Sequence, residues 1–328
     1  MAEQTTNLGC VASNLDRRGG GDGITGSMVP ELDDELRRRL GRRFGADVEP
    51  WFDRLPGVLG ALAQDWQIEW GPLIRRGTVS VVCRCRLADG RPAVLKVSPD
   101  RPRIATEAAA LRQCTTSHTP AVYAVDESVG AILMEAIEPG TALDESSTYP
   151  TVETVAELLT ALHSAVADPS FPPLAVRVAY LFEAGTADYR RHPALAGVIP
   201  LSVYERGRRL AVTLAEDSTP AVLLHGDLTP VNILDGGPRR GLVALDPAPC
   251  LGDAGFDTVD LLFWQAADEA TIAARVTQLA AATGADGERV LGWCVAFAGM
   301  IALELAASDA PPEDRVHAYL NLALRAPS

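Results

Sequence analysis

The chain has 328 residues, a formal net charge of −14, and 47% hydrophobic residues. The acidic balance argues against nucleic-acid binding and favours a cationic partner or plain solubility. The longest uninterrupted apolar runs are too short to span a bilayer, no secretory signal is recognisable, and the six cysteines form no CxxC pair. We therefore expect a reduced, cytoplasmic protein that binds neither membrane nor nucleic acid.

Residues 1–27 are polar and glycine-rich without an apolar period, and we expect them to form a disordered leader. Helical periodicity follows in "PELDDELRRRLGRRFG" and "VEPWFDRLPGVLGALAQDW". From 68 to 138 the period changes to two, which predicts strands in "IEWGPLIRRG", "TVSVVCRCRLADG", "RPAVLKVS" and "AILMEAIEPG" with one helix, "RIATEAAALRQC", between them. Residues 28–138 are thus expected to form a small, sheet-rich, nucleotide-binding lobe.

Helical patterns dominate the second part of the chain, in "TVETVAELLTALHSAVA", "LSVYERGRRLAVTLAE", "EATIAARVTQLAAAT" and "RVLGWCVAFAGMIALELAAS". A strand–loop–strand–turn–strand unit over 221–246 interrupts these helices. We therefore predict an α+β fold, in which a hinge near 136–140 connects the first lobe to a helical catalytic and substrate-binding lobe over 139–328.

One lysine stands out among the basic residues. Of the 29 Lys and Arg residues, Lys96 is the only lysine. Lysine differs from arginine in being a compact point charge on a slim stem, so Lys96 marks a position where arginine would not serve equally well.

The stretch "AVLLHGDLTPVNIL" at 221–234 carries the strongest chemical signal. Asp227 and Asn232 lie five positions apart on the loop that follows a buried strand, and Asp246 ends the returning strand in "GLVALD". Three oxygen-bearing side chains that converge in this way suit Mg²⁺, which prefers oxygen ligands. An aspartate that the metal does not use can orient or deprotonate a hydroxyl nucleophile.

The pattern H-x-D-x-x-x-x-N is that of the protein-kinase catalytic loop, here with Gly226 in the middle position, while the second aspartate lies in "LDPAPCLGDAGFD" instead of D-F-G. This combination resembles the aminoglycoside phosphotransferase family, within it the streptomycin 6-kinase and hydroxyurea kinase branch. The resemblance implies a two-lobed protein-kinase-like fold with a small antiparallel-sheet N-lobe and a large, mainly helical C-lobe.

The same resemblance implies a role for five residues. Asp227 would be the catalytic base or hydroxyl-orienting group, and Asn232 and Asp246 would hold Mg²⁺. Lys96 in "AVLKVS" would contact the nucleotide phosphates. Glu107, eleven residues later in "RIATEAAAL", would pair with Lys96 and position it.

Further nucleotide contacts are implied in the first lobe. Gly77 and Ser80 in "RRGTVS" stand where the family has its phosphate-covering loop, although the full glycine-rich pattern is missing. Glu135 to Ile137 would offer backbone groups to the purine of ATP, and the sequence does not decide between ATP and GTP.

Several residues near these motifs have structural interpretations. We expect His225 to anchor the catalytic loop and Asp253 to brace it, whereas Asp257 is either a brace or a substrate carboxylate. Five acidic residues of the helical lobe suit a solvated face, with attraction of a guanidinium-bearing antibiotic as the alternative. These five are Asp260, Glu304, Asp309, Glu313 and Asp314.

The predicted activity is transfer of the γ-phosphate of ATP to a hydroxyl of a cationic small molecule, with streptomycin preferred and antibiotic resistance as the result. Hydroxyurea, another antibiotic or an amino-alcohol metabolite are alternative acceptors. A catalytically inactive nucleotide-binding scaffold is the alternative of another class. A protein kinase is disfavoured because the segment after Asp246 contains no long activation loop. The oligomeric state cannot be read from the sequence.

Overall fold

The computed structural model of the chain describes residues 29–76, 79–217 and 220–325, so the expected leader lies outside the described residues. Contacts between residues divide the described chain into two compact units. The first contains residues 29–112 and 120–137, and the second contains residues 113–119 and 138–325.

The first unit is built on a five-stranded sheet in which every neighbouring pair is antiparallel. Its strands are β1 (Glu69–Ile74), β2 (Val81–Arg86), β3 (Pro92–Val97), β4 (Val122–Asp126) and β5 (Ala131–Glu135), in the spatial order β1-β2-β3-β5-β4. The sequence did not predict β4. The alternation in β2 places the thiols of Cys83 and Cys85 in the interior, as expected from the period of two.

Helices cover the two faces of this sheet. The first helix, α1 (Asp34–Phe44), begins at the N-cap Asp33, whose side chain accepts the N–H of Leu36 at 2.8 Å. Together with α2 (Glu49–Asp65) it shares one apolar core with the inward side chains of β2 and β3. On the opposite face, α3 (Arg101–Gln113) packs Ile104 and Ala108 against Ile132 and Met134 of β5.

The second unit is mainly helical. Its helices are α4 (Val152–His163), α5 (Leu174–Arg191), α6 (Leu201–Glu216), α7 (Val259–Phe263), α8 (Glu269–Thr283), α9 (Gly287–Ala306) and α10 (Glu313–Leu324). Of these, α5, α7 and α10 were not predicted. By length and composition α9 could cross a membrane, but most of it is buried in this unit, where Trp293, Phe297 and Leu303 belong to the core.

Four short strands in the second unit form two antiparallel pairs. β6 (Val222–Leu224) pairs with β9 (Cys250–Gly252), and β7 (Ile233–Asp235) pairs with β8 (Leu242–Ala244). The sequence predicted β6, β7 and β8 but not β9. The loop that carries the catalytic-loop motif therefore begins at the end of a strand that is held by β9.

Candidate active site

Gly226 adopts a backbone conformation that explains the glycine in the motif. Its φ is +76°, a left-handed value that favours glycine, and a Cβ atom added there would lie 2.0 Å from the carbonyl oxygen of Ala248. The N–H of Ala248 in turn donates to the carbonyl of His225 at 2.8 Å. The loop and the segment 246–249 thus approach each other too closely for any side chain at residue 226.

A buried carboxylate braces this loop from below. Asp257 is 2% exposed and accepts the N–H of His225 at 2.7 Å, the N–H of Gly226 at 2.9 Å and Nε2 of His163 at 3.0 Å. Burial raises the pKa of Asp257, but the hydrogen bond and charge of His163 and the neighbouring donors outweigh burial, so the pKa lies below its ordinary value. Asp257 is therefore a brace and does not face substrate.

His225 anchors the loop, as expected. Its Nε2 bonds the carbonyl of Leu245 at 2.8 Å, and its Nδ1 accepts the N–H of Asp227 at 3.3 Å. Burial lowers the pKa of His225. A neutral ring with the proton on Nε2 satisfies both contacts, so the imidazole fixes the backbone on either side of it.

The carboxylate of Asp227 is held at both oxygens. Oδ1 accepts a hydrogen bond from Arg177 at 2.9 Å, and Oδ2 accepts one from Nδ2 of Asn232 at 3.3 Å. The side chain stays 23% exposed, so a small molecule can reach it. Sequence reasoning missed Arg177, because the helix α5 that carries it was not predicted.

Asn232 and Asp246, the two predicted metal ligands, come together through the backbone. The N–H of Leu245 donates to the carbonyl of Asn232 at 2.8 Å, and Asp246 follows directly with a φ of +56°, which is strained for a residue other than glycine. The Nδ2 of Asn232 points to Asp227, so its oxygen, the atom that would bind a metal ion, faces away from Asp227. An amide oxygen and a carboxylate on adjacent chain segments fit the hard-oxygen preference of Mg²⁺.

Asp253 holds the end of the second motif and not the catalytic loop, which it was expected to brace. Its side chain caps the following 3₁₀ turn through the N–H of Gly255 at 2.8 Å, and it accepts Nε1 of Trp293 at 2.7 Å and a hydrogen bond from Arg289. Because three donors bind its carboxylate, Asp253 has a structural role.

In the first unit, Lys96 and Glu107 form the ion pair that the sequence predicted. Lys96 Nζ lies 2.8 Å from both carboxylate oxygens of Glu107. Lys96 lies opposite Ile132 in the sheet and so points to the face that α3 covers. Both side chains are almost fully buried, at 1% and 0% exposure, which requires the charges to compensate each other.

The remaining nucleotide-contact candidates also lie in the first unit, except that Gly77 is outside the described residues. Ser80 is buried immediately before β2. The N–H of Glu135 donates to Ala121 at 2.9 Å and that of Ala136 to Pro92 at 3.5 Å, whereas Ile137 follows with a buried side chain.

A cavity that is partly open to solvent adjoins Asp227 in the second unit. Its polar lining residues are Arg177, Asp227, Asp260 and Glu304, and its apolar wall is formed by Leu181, Phe256, Val259, Phe297, Met300 and Ile301. The solvated-face interpretation is therefore wrong for Asp260 and Glu304, which line this cavity. It fits the other three acidic residues of that group, Asp309, Glu313 and Asp314, which are exposed.

Asp260 has an unusual titration behaviour in this cavity. Burial first, and then the nearby charge of Asp227, raise the pKa of Asp260 to about 7, against the opposing effect of Arg177. A carboxyl group with this pKa changes its charge near neutral pH, and a bound cation would favour its ionised form.

The family model for aminoglycoside/hydroxyurea antibiotic resistance kinases matches residues 65–308, which include every motif residue above. The chain belongs to this family. The protein is a phosphotransferase with a hydroxyl group as acceptor, and family membership argues against the inactive-scaffold alternative.

Two relatives are similar to this chain over most of its length. The chain is 27% identical to a streptomycin 6-kinase of Streptomyces griseus over 80% of this chain and 87% of that protein. It is 29% identical to a hydroxyurea phosphotransferase of Kitasatospora aureofaciens, over 81% of this chain and 77% of the relative.

Solved structures confirm the predicted protein-kinase-like fold. One neighbour is a thermostable mutant of aminoglycoside phosphotransferase APH(4)-Ia in a ternary complex with AMP-PNP and hygromycin B. It superposes with a TM-score of 0.56 at 15% identity, covering 81% of this chain and 98% of the neighbour. The small antiparallel sheet and the mainly helical second unit are the elements that were predicted from the sequence.

Proposed function

We propose that the protein transfers the γ-phosphate of ATP to a hydroxyl group of streptomycin or a related cationic aminoglycoside, and that this reaction inactivates the antibiotic in the cytoplasm. The observation that carries the proposal is the cavity beside Asp227. It combines a carboxylate in reach of an acceptor hydroxyl with two further acidic side chains, Asp260 and Glu304.

Asp227 would act as the base or as the group that orients the acceptor hydroxyl. The donors on its two oxygens hold the carboxylate in one orientation, and its partial exposure leaves room for a hydroxyl within hydrogen-bond distance. Since phosphoryl transfer needs little covalent help, positioning would supply most of the rate enhancement.

Asn232 and Asp246 would hold Mg²⁺, which neutralises charge on the phosphates when it is bound. Lys96 would bind phosphate oxygens while Glu107 fixes its ammonium group. Ser80 and Gly77 would lie against the phosphates, and the backbone of Glu135 and Ile137 would bind the purine; these contacts suit ATP and do not exclude GTP.

A cationic acceptor is supported by the charge of the cavity lining. Besides the pair of Asp227 with Arg177, the cavity lining contains the carboxyl groups of Asp260 and Glu304. An ammonium or guanidinium group would find a charged partner there, and the apolar wall would strengthen that attraction by excluding water.

Hydroxyurea is the second candidate acceptor, because a hydroxyurea phosphotransferase resembles the chain as closely as the streptomycin kinase does. Hydroxyurea carries no cation, so it would gain nothing from Asp260 or Glu304. An amino alcohol or another aminoglycoside is cationic as streptomycin is, so these acceptors are distinguished by the products they form and not by charge.

The test is incubation of the purified full chain with ATP, Mg²⁺ and each acceptor in turn, with mass spectrometry of the products. Phosphorylated streptomycin, formed with a higher kcat/KM than phosphorylated hydroxyurea, would support the proposal. The assignment to aminoglycosides fails if hydroxyurea is phosphorylated and streptomycin is not.

A further inference from the structure

Arg177 is the charged residue at the site to which no motif assigns a task. It lies in the first turn of α5, and its side chain is 12% exposed. Its Nε donates to the carbonyl of Gly226 at 2.7 Å while an Nη nitrogen donates to Oδ1 of Asp227 at 2.9 Å. One planar guanidinium thus grips the backbone and the side chain of two successive residues, a geometry that lysine cannot reproduce.

The start of α5 is fixed to the same strands that carry the loop. The N–H of Leu251 in β9 donates to the carbonyl of Pro172 at 2.8 Å, and Pro173 bridges to Leu251 in parallel. Gly252 leaves room for Leu174, because a Cβ atom at Gly252 would lie 2.5 Å from the Leu174 Cβ. These contacts set the position from which the next turn of the helix presents Arg177.

The contacts between Arg177 and Asp227 therefore form a closed ring, here called the circuit. It runs from α5 through β9 to β6, along the loop to Asp227, and back to α5 through the guanidinium. A largely buried ion pair is weak evidence for stability, because the cost of removing both charges from water offsets their attraction. Holding a carboxylate in one orientation is the role that the circuit serves best.

We propose that Arg177 is a positioning residue for phosphoryl transfer, which fixes the Asp227 carboxylate so that its Oδ2 side meets the acceptor hydroxyl. Arg177 also compensates the charge of Asp227, which shares its cavity with Asp260 and Glu304. The inference rests on the proposed function, since it assigns a role within that phosphoryl transfer.

The experiment compares Arg177→Ala, Arg177→Lys and wild type in steady-state kinetics with ATP, Mg²⁺ and streptomycin. Arg190→Ala is the matched control, because Arg190 lies on the same helix and makes only an exposed ion pair with Glu183. A carboxylate that is misplaced by about 1 Å costs on the order of 10²-fold in rate. We expect kcat of Arg177→Ala to fall by about this factor, with the KM for ATP nearly unchanged.

Chemical rescue separates positioning from a structural role. Guanidinium ion, added below the concentration that unfolds the protein, should restore a large part of kcat in Arg177→Ala and leave Arg190→Ala and wild type unchanged. The kcat of Arg177→Lys should lie between those of Arg177→Ala and wild type, since an ammonium group can bond either the carbonyl of Gly226 or the carboxylate of Asp227 but not both. The proposal is overturned if Arg177→Ala keeps the wild-type kcat. It is also overturned if Arg177→Ala has a lowered Tm and guanidinium does not restore its kcat.

The test remains decisive if streptomycin is not the acceptor. Wild-type protein that makes no phosphorylated streptomycin refutes the proposed substrate, and the same variants are then compared by their rates of Mg²⁺-dependent ATP hydrolysis. If the wild type hydrolyses no ATP, crystal structures of Arg177→Ala with and without guanidinium give the answer. An Asp227 carboxylate that keeps its orientation without Arg177 overturns the inference, and one that turns and is returned by guanidinium supports it.

Discussion

Replacing Asp257 with asparagine should loosen the catalytic loop at its brace. The two backbone N–H donors of His225 and Gly226 bond different oxygens of Asp257, so an amide in either orientation presents its NH₂ group to one of them. His163, which bonds Oδ2, also loses a charged acceptor. Each buried donor without a partner costs about 1–3 kcal/mol, and the lost charge adds to this.

We therefore expect Asp257→Asn to lower the free energy of unfolding by about 3 kcal/mol and Tm by roughly 5–10 °C. Because the loop that holds Asp227 is then less well fixed, kcat should fall as well, with the KM for ATP changed less. The assays are urea unfolding followed by circular dichroism, calorimetry, and steady-state kinetics.

Asp268→Asn is the control for this substitution. Asp268 is an exposed N-cap of α8, and asparagine caps a helix as well as aspartate does, so this variant should unfold like the wild type. If Asp257→Asn also has wild-type stability and kcat, the hydrogen bonds to Asp257 do not hold the loop, and the reasoning is refuted.

The pH dependence of the Asp257 effect has a definite sign. Its pKa is lowered in the folded state, so its contribution to stability is complete above the unfolded value of about 3.9 and is lost as pH falls through the folded value. Unfolded aspartate is ionised from about pH 5 to neutrality, so the difference in unfolding free energy between wild type and Asp257→Asn should be constant over that range. The difference should shrink below about pH 4. A difference that grows in acid would contradict this assignment.

Three further perturbations test other parts of the site. The pKa of Asp260 is raised to about 7, so the folded state binds more protons than the unfolded state between about pH 4 and 7, and stability declines as pH rises through that range. Asp260→Asn should therefore raise Tm more at pH 8 than at pH 5, and it should raise the KM for a cationic acceptor. Equal Tm gains at both pH values would argue against the raised pKa of Asp260. Lys96→Ala removes the ammonium partner of the buried Glu107 carboxylate, so it should lower the free energy of unfolding by about 3–5 kcal/mol and weaken the use of ATP. Unchanged kinetics with ATP would show that Lys96 is not part of the site. Gly226→Ala places a Cβ atom against the carbonyl of Ala248 and should abolish most turnover. A Gly226→Ala variant with wild-type kcat would show that the catalytic loop tolerates this Cβ atom.

Local sequence patterns predicted the parts of the site that lie within short stretches of chain. The spacing in "HGDLTPVNIL" placed Asp227 beside Asn232, and the change of period around "AVLKVS" and "RIATEAAAL" placed Lys96 on a strand and Glu107 on the next helix. A strand and a helix fix the directions of Lys96 and Glu107, and a short loop keeps Asn232 near Asp227, so in both cases the sequence distance carries spatial information.

Contacts between distant stretches could not be predicted in this way. Arg177 reaches Asp227 across 50 residues and His163 reaches Asp257 across 94, and neither spacing follows from any periodicity. β4 was missed because all of its side chains are half-buried, which removes the contrast between two faces that marks a strand. For α5 the signal was present, since the apolar residues Leu174, Val178, Leu181 and Phe182 recur at helical spacing.

The most direct test of the central claim compares wild type with Asp227→Asn in the presence of ATP, Mg²⁺ and streptomycin. Product formation is followed by mass spectrometry, and nucleotide binding by calorimetry. We predict that the wild type forms phosphorylated streptomycin, whereas Asp227→Asn binds ATP with nearly unchanged affinity and forms almost none. An Asp227→Asn protein that phosphorylates the acceptor at most of the wild-type rate would show that Asp227 is not the catalytic group.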